Sequence, residues 1–187
     1  MSSFYFWHWR ICVLMRLNKG AFENCSGLAS VYITDLEKWC KISFKNDVSN
    51  PLFYAHNLYL NNKLVTDLVI PESVTSIGAY AFSGCNGITN ITIPESVTFI
   101  GYRAFYNCSG LKGVTIGNGV TSIDAYAFAY CSGFTSVTIG NGVKSIGAYA
   151  FAYCSGITNI TIPESVTSIG YRAFYNCSGL TKIYYKG

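Results

Sequence analysis

ITNITIPESVTFIGYRAFYNCSGLK, residues 88–112, decides the architecture, because the chain repeats it. The same string returns from Ile157 with changes only at the places of Phe99 and Lys112. A weaker form of the pattern fills the chain between and before these copies. Phe82, Phe105, Phe128, Phe151 and Phe174 recur every 23 residues, and so do Cys85, Cys108, Cys131, Cys154 and Cys177. Full units begin at Ile70, Ile93, Ile116, Ile139 and Ile162. A degraded unit, GAFENCSGLASVYI at residues 20–33, lies 60 residues ahead of its counterpart, which is one repeat plus about 37 inserted residues. Self-similarity at this period is the mark of a solenoid, whose units bury their apolar face only by stacking on neighbours. The near-identical copy sits three repeats away, which points to duplication of a three-repeat block and selection for array length.

One unit reads as follows. Ile91 and Ile93 alternate with Asn90 and Thr92, the period-two pattern of a strand with one buried face. Pro94, or Gly117 in the next unit, ends that strand by removing a ladder donor or a side chain. Val97 and Ile100 form a second short apolar pair, and Gly101 precedes a compact turn or short helix carrying Ala104, Phe105 and Cys108. Ser109-Gly110 turns the chain into the next strand. Stacked units therefore predict parallel strands about 4.8 Å apart, with the phenylalanines in one internal ladder and the cysteines in another.

Composition agrees with a folded array. Half of the 187 residues are apolar and 12% are charged, too apolar a mixture for disorder. The net charge of +4 comes without a run of like charges, so nucleic-acid binding has no electrostatic footprint. No stretch approaches 18 uninterrupted apolar residues, which argues against a membrane span. MSSFYFWHWRICVLM at the start lacks a basic leader, Arg10 interrupts it, and no clear cleavage site follows, so no signal peptide is legible. The expected organisation is a poorly defined segment over 1–16 and one repeat domain over 17–187, with an insertion at about 34–69. The end at TKIYYKG, without a polar cap, reads as a fragment, a truncated product or a short array.

The signature IPxSVTSIGxxAFxxCxGLTxVTI resembles the BspA-like class of leucine-rich repeats, closely over residues 70–184 and loosely over 17–33. DLEKWCKISFKNDVSNPLFYAHNLYLNNKLVTDLVIP, residues 35–71, looks like a longer repeat variant of that family. The resemblance implies an α/β leucine-rich-repeat solenoid, strand-rich, with short parallel strands joined by turns or short helices. It also implies an extracellular or cell-surface protein of host-associated microbes that binds host matrix or microbial surface proteins.

The candidate binding residues are the outward strand positions. Thr92, Thr115, Thr138, Thr161 and Tyr184 should form one row, and Asn90, Gly113, Ser136, Asn159 and Lys182 the adjacent row. Regular open faces of this kind suit extended partners, although threonine is also an ordinary exposed strand residue. Trp39 and Tyr54, within the insertion, are the alternative: anchors for a partner, or plugs for the open end of the core. Arg103 and Arg172 stand at equivalent positions beside Tyr102 and Tyr171, as exposed contacts or solubilising charges. The cysteines form no CxxC, only His8 and His56 could join them, and zinc-site spacing is missing, so no metal or cofactor is expected. His56, with Asp35, Glu37, Asp47 and Asp67 nearby in sequence, fits no nucleophile motif or paired-acid spacing, and catalysis is not expected. Two functions remain open: a protein-binding adhesion module, or a spacer within a longer surface protein.

Overall fold

The computed structural model describes residues 18–186; the 1–16 segment, with His8, Arg10 and Cys12, lies outside the described residues. The chain winds into a strand-rich solenoid of parallel ladders. Its first part holds β1 (Val31–Ile33), α1 (Leu36–Cys40), a 3-10 turn (Asp47–Ser49), α2 (Leu52–Ala55), β2 (Leu58–Leu60) and β3 (Lys63–Leu64). The regular array then runs β4 (Asp67–Val69), β5 (Ser76–Ile77), β6 (Asn90–Ile93), β7 (Phe99–Ile100), β8 (Gly113–Ile116) and β9 (Ser122–Ile123). It finishes with β10 (Ser136–Thr138), β11 (Ser145–Ile146), β12 (Asn159–Ile162), β13 (Ser168–Ile169) and β14 (Lys182–Tyr185).

Each regular coil adds one strand to each of two ladders. The first sheet runs in the order β10-β8-β6-β4, and the second β13-β11-β9-β7-β5. Register follows the repeat: Thr92 pairs with Thr115, and Ile100 with Ile123. The third side of the coil is a run of turns, where the sequence allowed a turn or a short helix. Its backbone donors alternate between two uses. Ala104 and Tyr106 donate to Gly101 and Arg103 within the turn, at 3.1 Å each, whereas Phe105 and Asn107 donate to Ala127 and Ala129 of the next coil, at 2.8 Å each. A helix would spend all of these donors on its own carbonyls and leave the coils unjoined on this side. The alternation requires left-handed backbone at two places per coil, for example Arg103 (φ 52) and Asn107 (φ 56).

The interior is a set of ladders. Phe82, Phe105, Phe128, Phe151 and Phe174 stack in sequence with centroids 5.1–5.5 Å apart and rings within 9° of parallel. Cys108 donates its thiol to the carbonyl of Phe82 at 3.1 Å, and Cys131, Cys154 and Cys177 repeat this contact with Phe105, Phe128 and Phe151. The cysteine period is therefore explained by size and by one inward carbonyl per coil that a small donor satisfies. Burial pushes the thiols up: Cys40 reaches about 12, and Cys85, Cys131, Cys154 and Cys177 also rise above the ordinary thiol value.

Where GNG takes the place of PES, neighbouring backbones approach closely. A β-carbon on Gly119 would stand 1.6 Å from the Glu95 carbonyl oxygen, and one on Gly142 would stand 1.7 Å from that of Asn118. Glycine is needed there for close approach of backbones.

The segment over 34–69 is threaded into the stack. β1 pairs in parallel with β2, 27 residues on, so the stretch between them makes an enlarged coil. Asp35 caps α1 through the Lys38 amide at 2.9 Å. Phe44 and Gly78 exchange backbone bonds with Ala79 and Cys40, which seats this coil on the first regular one. Asn61 and Asn62, both left-handed (φ 49 and 65), make the tight turn that pairs β2 with β3 antiparallel. At the other end the core is open. Ile169 is 50% and Ile183 61% exposed, against 1% for their counterparts Ile146 and Ile160 one coil earlier.

Among the described residues no ladder joins β10 to β12, while the second sheet continues unbroken past this point. The break lies beside Phe134, whose place is held by Ile88, Leu111, Ile157 and Leu180 in the other units. Phe134 is fully buried, 6.0 Å from Phe128.

Candidate functional site

The outward strand positions stand where their alternation puts them. Thr92, Thr115 and Thr138 are exposed and in register on β6, β8 and β10, with Asn90, Gly113 and Ser136 beside them. Asn159 and Lys182 are exposed on β12 and β14, as is Tyr184, while Thr161 is half-buried. The two rows are not continuous, because the ladder is broken between β10 and β12. They also begin one coil earlier than the candidate residues indicate: Asp67 and Val69 of β4 pair with Asn90 and Thr92, and the Asn90 amide donates to Asp67 at 2.8 Å. Both lie 23 residues before those partners, so the period itself carries the signal.

Threonines in this array fall into two chemical groups. Thr89, Thr98, Thr121, Thr135, Thr167 and Thr181 donate their hydroxyls to a carbonyl of the preceding coil at 3.0–3.2 Å. Thr92, Thr115, Thr138 and Thr161 have no side-chain hydrogen bond among the described residues. Those of β6, β8 and β10 therefore present a methyl and an unspent donor–acceptor to solvent at every coil.

Trp39 does not belong to a surface. It is 1% exposed, its indole donates to the Ala81 carbonyl at 2.9 Å, and its ring packs on Phe44. An indole that is fully buried with its donor satisfied is a core residue, so the anchor reading of Trp39 is corrected. Tyr54 is half-buried; its hydroxyl accepts from the Asn24 amide at 3.1 Å and its ring meets Phe53 edge-on.

The acidic residues around His56 are committed elsewhere. Asp35 caps α1, Glu37 accepts from Lys41 and Ser73, Asp47 from Ser83 and Arg103, and Asp67 from Asn90. The His56 ring lies 2.8 Å from the Gly84 carbonyl through Nδ1, and none of these carboxylates meets it. Among the described residues no group of three His, Cys, Asp or Glu could hold a metal ion.

A second surface escaped the sequence reading. Tyr80, Tyr102, Tyr126, Tyr149 and Tyr171 form one row, with successive centroids 4.8–6.0 Å apart. Tyr106, Tyr130, Tyr153 and Tyr175 form a second, at 4.4–5.4 Å. The rows are adjacent: the Arg103 guanidinium lies 5.4 Å from Tyr102 in one and 4.5 Å from Tyr106 in the other, and Tyr149 is 6.4 Å from Tyr175. The rows are hidden in the sequence because they step sideways by one residue. Tyr80, Arg103, Tyr126, Tyr149 and Arg172 share one place in the unit, and where arginine takes it the preceding residue becomes Tyr102 or Tyr171 in place of alanine. Asn107 and Asn176 take the place of Tyr130 and Tyr153, and there Tyr106 and Tyr175 precede.

Five of these rings sit on left-handed backbone that is unfavourable for a bulky side chain: Tyr80, Tyr126, Tyr130, Tyr149 and Tyr153, at φ 56–63. Such a conformation costs roughly 1–3 kcal/mol, whereas a stacked aromatic pair returns about 0.5–1.5 kcal/mol. Asparagine adopts it readily and already does so at Asn107 and Asn176. Burial raises the Tyr80 phenol to about 12, and burial followed by the neighbouring Tyr130 and Tyr175 raises that of Tyr153. The two arginines differ. Arg103 is half-buried and paired with Asp47 at 2.9 Å; Arg172 is exposed, donates to the Tyr149 hydroxyl at 3.3 Å and meets no carboxylate among the described residues.

A family model for the BspA type leucine-rich repeat region matches residues 54–183 in six copies. The chain belongs to the BspA-type leucine-rich-repeat family. This BspA-type array is similar to a leucine-rich cell surface protein of Faecalibacterium prausnitzii at 36% identity and TM-score 0.63, covering 65% of this chain and 32% of that one. A leucine-rich repeat protein of Bacteroides ovatus matches at 38% identity and TM-score 0.60, covering 63% and 33%. The leucine-rich repeat protein of T. pallidum matches at 27% identity and TM-score 0.62, covering 64% and 58%. The chain thus spans about a third of the first two neighbours and somewhat over half of the third. Comparison with curated proteins gives no match. No helix among the described residues is long and apolar enough to cross a membrane.

Proposed function

We propose that this BspA-type array is a non-catalytic protein-binding module of the cell-surface adhesion kind, whose partners are host or microbial surface proteins. The observation that carries the reading is the chemical split among the threonines. Those that hold coils together have spent their hydroxyls, whereas Thr92, Thr115 and Thr138 repeat an unspent polar group in register along one exposed sheet. A periodic set of equivalent contacts suits many weak interactions that add through multivalency. The solved neighbour described as a cell surface protein supports an extracellular location.

The test is a panel of matrix proteins and microbial surfaces, probed with the folded wild-type chain and with Thr115→Glu/Thr138→Glu. Both side chains point outward, so the double variant is expected to keep its thermal midpoint and lose binding. Deleting whole repeats should weaken binding by degrees. A folded array with no saturable binding to any surface would sink the adhesion reading and leave a spacer that holds other domains apart.

A further inference from the structure

The double tyrosine row is a continuous aromatic strip that the threonine face does not use. From it we infer a second binding surface, for a proline-rich segment in polyproline II conformation lying along the solenoid axis, with an acidic residue against Arg172. Three features select this occupant.

The first is spacing. Coils advance by about 4.8 Å, so two coils advance about 9.6 Å. A polyproline II helix turns once in three residues, or about 9.3 Å. Prolines at every third residue then fall over every second coil, and a segment of about six residues spans the strip from Tyr80 to Tyr171.

The second is the way the rings are presented. Tyr126 stacks face to face on Tyr149, 7° from parallel, and Tyr130 on Tyr153, 11° from parallel. The other contacts within the two rows are edge-on, at 65–81°, so stacked and tilted rings alternate along the strip and form an aromatic-lined groove with phenol hydroxyls along it. Proline-rich segments dock in aromatic-lined grooves, because the preformed polyproline II helix loses little entropy on binding. The polyproline II backbone makes no internal hydrogen bonds, so its carbonyls are free to accept from a line of phenols.

The third is charge. Arg172 lies 4.9 and 4.8 Å from the centroids of Tyr171 and Tyr175 and meets no carboxylate among the described residues. A partner's carboxylate supplies the missing counter-charge without disturbing the Arg103–Asp47 pair.

The experiment titrates the full chain, by calorimetry, with a synthetic peptide of about nine residues that carries proline at every third position and one aspartate. A glycine–serine peptide of equal length and charge and a linear oligosaccharide serve as comparison probes. The proline peptide is expected to saturate the wild type, and the other two are not. Tyr130→Asn/Tyr153→Asn uses the residue this chain already places at Asn107 and Asn176. It is expected to keep the fold, hold or raise the thermal midpoint, and weaken the peptide at least about tenfold. Tyr130→Phe/Tyr153→Phe removes only the hydroxyls and should weaken it several-fold. Thr115→Glu/Thr138→Glu should leave this affinity unchanged, which separates the strip from the strand face. The proposal is overturned by a wild type that does not bind the proline peptide, by equal binding of the glycine–serine peptide, or by a tyrosine pair whose loss changes nothing. Oligosaccharide binding that disappears in the tyrosine variants would overturn it in favour of a carbohydrate surface.

Discussion

Phe105→Ala tests the stacked interior most directly. Phe105 is fully buried, and its ring lies between Phe82 at 5.2 Å and Phe128 at 5.1 Å, both nearly parallel to it. Truncating a buried phenylalanine costs about 3–5 kcal/mol through lost transfer energy and the cavity left behind. The solenoid favours the upper half of that range. The neighbouring rings are held by their own coils and cannot close the gap, and two stacked pairs worth about 0.5–1.5 kcal/mol each are lost together. Phe174→Ala gives the internal comparison, because that ring is half-buried and stacks on Phe151 alone, at 5.5 Å. Its cost should be about half as large. Urea titrations followed by circular dichroism in the far ultraviolet measure both, with an unchanged slope marking a simple loss of stability. A Phe105→Ala cost below about 1.5 kcal/mol, or one no greater than that of Phe174→Ala, would refute a ladder that carries the core.

The thiol ladder predicts slow native-state labelling of Cys108, Cys131 and Cys154 and fast labelling of exposed Cys25. Outside the ladder, buried Cys40 of α1 gives a pH dependence of definite sign: its thiol is raised from 9.0 to about 12, so its contribution is complete below pH 9 and is lost as pH rises from there toward 12, because the unfolded thiol ionises first. Alkaline unfolding monitored by circular dichroism checks this, and Cys40→Ser should flatten the decline. Gly119→Ala should destabilise the array strongly, since its new methyl meets backbone at 1.6 Å, while Gly27→Ala, with nothing within 4 Å, should be nearly neutral in the same thermal melt. Asp47→Asn removes the partner of the half-buried Arg103 and should cost about 1–3 kcal/mol; Arg103→Met in the same background should recover part of that loss, and a strictly additive pair of effects would show that the ion pair contributes nothing.

The parts of this fold legible in the sequence are those fixed by the 23-residue period. Ile91 and Ile93 alternate with polar neighbours, and both point inward on β6; Val97 and Ile100 are buried in the second short run, with β7 at its end. The pattern allows both turn and helix in the turn arm, because composition does not reveal left-handed backbone at Arg103, Tyr126 or Tyr149. Those residue types seldom adopt it, and only the inter-coil bonds of that arm make it necessary. The ladder break between β10 and β12 departs from the repeat, and no periodic pattern encodes it. Asn61-Asn62 did carry a local signal for a tight hairpin, and the exposed rows did extend back to Asp67 by plain repetition. The tyrosine strip stayed hidden for a geometric reason: Arg103 and Arg172 occupy the ring's usual place while Tyr102 and Tyr171 take over its function from one residue earlier.

The direction of the coil-to-coil hydrogen bonds has a mechanical consequence. They run along the solenoid axis, in the two strand ladders and again in the turn arm. Tension applied along that axis loads these three sets of bonds together at one coil boundary, while neighbouring boundaries of the same kind stay closed. When a boundary yields, one unit of about 23 residues is released, and at roughly 3.3–3.6 Å per residue it lengthens the tether by about 70–80 Å. A chain pulled at its two ends should therefore lengthen in equal steps and give up force a unit at a time. On a surface exposed to flow, such an array would lower the peak load reaching whatever it holds.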